Sequence, residues 1–155
     1  MNIVDLRYEQ DYIPTLAEWH HREWAHLNPG GSVEKRVEKM QAYLSDELMP
    51  SMYVCKEGDT LLGSAGLLRN DMDTKMELTP WLASVYVAEE HRNRGIGTAL
   101  VQHVVNVARA AGYPNLYLLT PNKESFYQAR GWFTISKEPY REEPVTVMQL
   151  QLQDR

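Results

Sequence analysis

The stretch Val85-Tyr86-Val87-Ala88-Glu89-Glu90-His91-Arg92-Asn93-Arg94-Gly95-Ile96-Gly97-Thr98-Ala99-Leu100 constrains this chain more than any other. It reads as a strand, a turn carrying two glycines, and a helix. Such a turn bares several backbone N–H groups at a helix N-terminus, where the positive end of the helix dipole adds to them. Together they make an anion site the size of a phosphate. Arg92 and Arg94 bring fixed positive charge beside it. Gly95 and Gly97 have no Cβ, so a ligand can come close to the backbone. A glycine pair alone is a weak signal, equally the start of any helix behind a flexible turn with two solvated arginines. Here strand, turn and helix follow in the order that phosphate binding needs. The third glycine and later acid of a dinucleotide fingerprint are absent, and no Gly-Lys-Ser/Thr is present, so neither a Rossmann site nor a P-loop is expected.

The 155 residues are enough for one domain, 1–155, with a real core. With 16 Lys and Arg against 21 Asp and Glu, the formal charge of −5 argues against a nucleic-acid partner, which would want a basic face. The lone Cys55 excludes an internal disulfide framework and reads as a small buried apolar residue in a strand. No apolar run approaches the length of a membrane span, and the first residues lack a signal-peptide core, so a cytoplasmic protein with no membrane contact is expected.

Residues 2–8 alternate like a strand. Ile13, Leu16, Ala17, His20, Trp24 and Leu27 follow helical spacing until Asn28-Pro29-Gly30-Gly31 stops them. Ser32 is a candidate N-cap for a second helix, whose stripe is Val33, Val37, Met40, Leu44 and Leu48. Residues 52–56 and 60–68 form a hairpin around Glu57-Gly58-Asp59. Residues 69–79 are polar and loop-like. Residues 81–87 read as a buried strand, 96–111 as a helix closed by Gly112, and 116–119 as a strand. A short helix over 123–130 ends at Gly131, and 132–137 with 145–152 close the sheet as an antiparallel pair. The order β-α-α-β-β-β-α-β-α-β-β predicts a mixed α/β sandwich.

That order, with Arg92-Asn-Arg-Gly95-Ile-Gly97 after the fourth strand, resembles the GNAT superfamily of acyl-CoA-dependent N-acyltransferases. The six residues match the family's Gln/Arg-x-x-Gly-x-Gly/Ala signature. A second marker, a tyrosine shortly before Gly-Phe or Gly-Trp, is matched by Ser125-Phe-Tyr127-Gln-Ala-Arg-Gly131-Trp132. The resemblance covers nearly the whole chain. It implies a mostly antiparallel sheet of about seven strands with helices on both faces. It implies that Val85, Tyr86 and Val87 line a splayed gap between the fourth and fifth strands and pair with the pantetheine arm of acetyl-CoA. The amides from Arg92 to Thr98 (Arg92, Asn93, Arg94, Gly95, Ile96, Gly97, Thr98) would hold the pyrophosphate, with Asn122 and Ser125 near the arm. Many members have Asn seven residues before the tyrosine, where this chain has Thr120. Family members often dimerise, so a homodimer is allowed.

The implied reaction is acyl transfer from acetyl-CoA to a primary amine. Tyr127 would be the general acid for the leaving thiolate, against the alternative of a packed aromatic. A backbone N–H near Val87 would polarise the carbonyl. The amine must first lose a proton. Some members carry a glutamate on the fourth strand for this, and this chain has Trp81 there. Glu77, Asp73 and Glu23 are the candidate replacements, each equally readable as a solvated surface charge. In the family, the first two helices and the loop before the fourth strand wall the acceptor site, which draws in Trp19, Glu23, Trp24, Asp73, Glu77 and Trp81. Aromatics with carboxylates suit an amine. His20, His21 and His26 lack one-face metal spacing, so no metal is expected. The acceptor is expected to be a small or medium-sized amine. A protein or peptide acceptor, a non-catalytic acyl-CoA sensor, and another phosphate ligand are the alternatives.

Overall fold

A seven-stranded sheet runs through the computed structural model, which describes residues 1–153. The elements are β1 (Asn2–Asp5), α1 (Ile13–Trp24), α2 (Val33–Met40), β2 (Ser51–Glu57), β3 (Thr60–Leu68), β4 (Trp81–Val87), α3 (Ile96–Ala110), β5 (Asn115–Thr120), α4 (Glu124–Gln128), β6 (Phe133–Tyr140) and β7 (Glu143–Gln151). In space the strands run β1-β2-β3-β4-β5-β7-β6. Every neighbouring pair is antiparallel except β4 with β5. This is the expected element order and the expected mixed sheet.

Two helical layers cover the sheet. Alternate residues of β2 face opposite sides, as the strand period of two demands. Met52 and Val54 pack with Leu16 and Ala17 of α1 and Met40 of α2. Tyr53 and Cys55 face Leu100, Val101 and Val104 of α3. Cys55 is buried there, and burial raises its thiol pKa. A Cβ on Gly63 of β3 would collide with the Tyr86 carbonyl of β4, so glycine is what lets these two strands close up.

The local signals differ from the structure at two ends. The strand expected over 2–8 stops at Asp5, whose carboxylate accepts from the Arg7 amide at 2.9 Å and turns the chain into a 3-10 helix over Leu6–Tyr8. Leu6 is then fully buried and Tyr8 exposed, which an alternating strand would not allow. The second helix starts as expected, with the Ser32 hydroxyl accepting from the Lys35 amide at 3.0 Å. It ends early, passing through a 3-10 turn over Gln41–Leu44 to an extended Ser45, which leaves Leu48 outside the stripe and exposed.

Two features of the sheet position the site. β4 and β5 are in register only at Trp81 and Tyr117 and then part. On its other side β4 bulges: Ala83 faces Gly66 and Tyr86 faces Ser64, so Ser84 and Val85 together oppose Ala65 alone. Ser84 takes a left-handed φ of 54° there.

Candidate active site

The turn before α3 has the geometry its sequence implies. Asn93 and Gly95 are left-handed, at φ 65° and 80°, and Gly95 caps α3 with no side-chain partner. The first helical bond is Ala99 N–H to the Gly95 carbonyl, at 3.1 Å. Among the described residues nothing accepts from the amides of Asn93 through Thr98. A Cβ on Gly95 would meet only open space. Uncommitted donors facing a void at a helix N-terminus fit an anion.

The arginines divide unexpectedly. Arg92 folds back, its Nε donating to the Val87 carbonyl at 2.9 Å with the guanidinium 5.5 Å from the Tyr86 ring. Arg94 reaches His91 Nδ1 at 3.0 Å and Glu57 at 3.4 Å. Both brace the turn. A third cation, Arg130, comes from beyond α4. It donates twice to Thr98 Oγ1, at 3.1 and 2.6 Å, and to the Phe126 carbonyl, at 2.7 Å, while lying 3.6 Å over the Phe126 ring. Arg130 sits inside the second sequence marker, yet only the packing of α4 on α3 reveals it as part of the turn.

The gap between β4 and β5 opens beside Ser84, Val85 and Val87, which are half-buried while Trp81 to Ala83 are buried. Ala88 N–H donates back to Leu62 of β3 at 2.8 Å. By strand alternation the N–H and C=O of Val87 face the gap, and Arg92 takes the C=O. The bulge is held from behind. The Ser64 hydroxyl donates to the Ser84 carbonyl at 2.9 Å and is itself 2.9 Å from Nε2 of the fully buried His20. Because that hydroxyl proton is spent on Ser84, Nε2 carries the imidazole proton. Burial, aided by the Arg36 charge, lowers the His20 pKa to about 3, so the ring is neutral.

A cleft of about 460 Å³ joins this gap to α1, α2, the β3–β4 loop and the β6–β7 hairpin. Tyr127 lines it, packed edge-on against Phe126 and Trp132 with ring centroids 5.0 and 5.8 Å away. Its hydroxyl meets no acceptor among the described residues. Burial pushes the phenol up to about 12, against a smaller pull from Arg130. The Thr120 hydroxyl accepts from the Lys123 and Asn122 amides, at 2.9 and 3.4 Å, and so shapes the entry to α4. Asn122 lines the cleft. Ser125 is exposed on the first turn of α4 and makes no side-chain hydrogen bond among the described residues.

The other singled-out residues scatter. Trp24 and Glu23 line the cleft. Trp19 instead stacks 5.4 Å from Tyr86 and, with Glu23 and Arg92, borders a second cavity of about 370 Å³. Asp73 is exposed, pairs with Arg141 at 3.3 Å, and its amide donates to the Tyr140 hydroxyl oxygen at 3.2 Å, which ties the β3–β4 loop to the β6–β7 hairpin. Glu77 is exposed and borders neither cavity. Trp81 has no exposed surface; it packs with Met72, Tyr140 and Val147 and donates to the Leu78 carbonyl at 2.7 Å. The carboxylate that does enter the cleft from this loop is Asp71, two residues before Asp73. Burial raises it to about 7, while Lys39, Arg36 and Arg141 pull the other way. No local pattern separates Asp71 from Asp73; the loop's path does. Among the described residues no three His, Cys, Asp or Glu side chains are placed to share a metal ion, and no helix is long and apolar enough to cross a membrane.

Residues 13–132 match the model of the acetyltransferase (GNAT) family. Over 96 residues, 59% of this chain, the sequence is 33% identical to human N-acetyltransferase 8B and 32% identical to human N-acetyltransferase 8. The matched part spans only 42% of each of those relatives. An aminoglycoside 6'-N-acetyltransferase solved with coenzyme A shares the fold at a TM-score of 0.79 and 16% identity, over 100% of this chain and 99% of the other. So does yncA of Salmonella typhimurium, solved with acetyl-CoA, at 0.70 and 19%, over 100% and 96%. With glycine turn, splayed strands and cleft in the same frame, the chain belongs to the GNAT family of acetyltransferases.

Proposed function

We propose that this chain transfers the acetyl group of acetyl-CoA to the primary amine of a small or medium-sized acceptor. The observation that carries the reading is the succession of three features around β4. Uncommitted amides open α3 just after β4, β4 and β5 pair only at Trp81 and Tyr117, and a cleft lined by both strands holds Tyr127. The amides of Asn93 to Thr98, with Arg130 alongside, would take the pyrophosphate. Val85, Tyr86 and Val87 would offer a strand edge to the pantetheine arm, with Asn122 and Ser125 nearby.

In the reaction the amine nitrogen attacks the thioester carbonyl carbon and the C–S bond breaks. The free N–H of Val87 is the donor for the developing oxyanion. Tyr127 is the acid on the sulfur side. A thiolate has a parent pKa of roughly 8.5, well below the phenol's, so full transfer from Tyr127 is uphill and a shared proton in the transition state is its contribution. The ammonium, with a pKa of roughly 10.4, must be deprotonated first. Asp71, raised to about 7, is the acceptor for that proton.

A panel of amines with acetyl-CoA, followed by thiol release, tests the reading. Turnover of at least one class of amine is expected. Tight coenzyme A binding without release for any amine would leave a sensor; binding of ATP in preference to coenzyme A would reassign the glycine turn.

A further inference from the structure

We propose that the acceptor bears a carboxylate as well as its amine, as an α-amino acid does, and that the Arg36 guanidinium anchors it. This rests on the acetyl-transfer reading above and names the substrate class for it. Among the described residues only two arginines, Arg7 and Arg36, are not exposed. Arg7 is paired with Asp5 at 3.0 Å and with Asp46 at 3.4 Å. Arg36, on α2, lines the cleft half-buried and has neither an ion pair within 4.0 Å nor a side-chain hydrogen bond among the described residues. A guanidinium carries five N–H donors in a flat fork that matches a carboxylate. Taking it partly out of water with no partner is costly, and an anionic group in the cleft would offset that cost.

The surrounding charge points the same way. The whole chain carries a formal −5. Yet the cleft wall presents Arg36, Lys39, Lys123 and Arg141 against Glu23, Asp71 and Glu143, four cations to three carboxylates. Asp71 is faced by Arg36 and Lys39 from α2 and by Arg141 from the hairpin, with the Tyr43 hydroxyl from the turn after α2 close enough to feel its charge. It pairs with none of these cations within 4.0 Å. Opposite charges held in one cleft without closing on each other leave room for a ligand that carries both signs. A polyamine or an aminoglycoside would bring only positive charge, which leaves Arg36 without a counter-ion and adds like-charge repulsion beside it.

The test compares three forms of one side chain in the thiol-release assay: the α-amino acid, its carboxamide and the amine lacking the carboxylate. The panel covers phenylalanine, leucine and methionine, with spermidine as the polycation. The acid is expected to exceed both neutral relatives at least tenfold in kcat/KM, chiefly through KM, with spermidine lowest. Arg36→Ala should collapse that ratio and Arg36→Lys should keep part of it, with melting temperatures not lowered, because Arg36 has no ion pair or side-chain hydrogen bond among the described residues to lose. Neutral relatives turned over as well as the acid, or a ratio untouched by Arg36→Ala, would overturn the carboxylate subsite and leave acetyl transfer standing. Should no amine turn over at all, calorimetry of the N-acetyl amino acid against its carboxamide reads the subsite directly. Tenfold tighter binding of the acid, lost in Arg36→Ala, would support the subsite, and equal binding would overturn it.

Discussion

Tyr127 and Asp71 face one cleft with shifts of the same origin. Burial disfavours the charged form of each, lifting the phenol to about 12 and the carboxyl to about 7. For the phenol this means a proton that stays in place across any assay pH. For the carboxyl it means a base half-ionised near neutrality. Tyr127→Phe is therefore expected to lower kcat ten- to a hundredfold while leaving the acidic limb of the pH profile in place. Asp71→Asn should remove that limb, since kcat/KM of the parent should fall as pH drops below about 7 and the variant has nothing left to protonate. An unchanged limb in Asp71→Asn would take the proton-acceptor role away from this residue. Tyr127 was singled out by the family resemblance, whose second marker it carries ahead of Gly131-Trp132. Asp71 was legible only as part of the stretch Asp71-Met72-Asp73 on the acceptor wall and not as a candidate base, because Asp71, Asp73 and Glu77 share one polar loop and differ only in which way the folded chain aims them.

At the scale of elements, the turn into α3 and the bulge in β4 do most of the positioning, and both use backbone that side chains resist. Gly95 sits at φ 80° with open space where a Cβ would point. A valine there would be strained and would also fill the room an anion needs. Gly95→Val is expected to raise the Kd for coenzyme A at least tenfold, with a loss of stability of about 1–2 kcal/mol, as read by calorimetry and melting. Equal affinity in the variant would mean that the phosphates lie elsewhere. The turn was readable in advance because it is built from bonds within a few residues. The Ser64 hydroxyl bracing the bulge was not, since it joins β3 to β4 and to His20 of α1, 44 residues away.

Over the whole molecule, the buried His20 and the half-buried Asp71 tilt stability with pH in opposite directions. His20 has its folded pKa lowered to about 3 from 6.5. Its contribution is complete above 6.5 and is lost as pH falls toward 3, at up to about 1.4 kcal/mol per pH unit. Asp71 has its folded pKa raised to about 7 from 3.8. Its contribution is complete below 3.8 and is lost as pH rises through 7, with a similar slope. Between about 6.5 and 3.8 the two nearly cancel. Asp71→Asn should expose the His20 slope: the variant should be more stable than the parent at pH 8, and that advantage should shrink by pH 5 in urea titrations. An advantage independent of pH would contradict the raised carboxyl.

From sequence alone came the element order, the glycine turn and Ser32 as a cap, and the family resemblance added Tyr127. The first three rest on hydrogen bonds or side-chain spacing within a few positions of chain, and such local rules survive in any fold that keeps the segment. Tertiary structure alone decided the chemistry of the cleft wall. Arg36, Asp71 and Arg141 meet there from α2, a loop and a hairpin, and Arg130 joins Thr98 from 32 residues away. It also put Trp81 in the core and left Glu77 at the surface. Charge placement of this kind depends on which distant elements pack together, and burial, which sets the pKa of Asp71 and leaves Arg36 unpaired, exists only once they have.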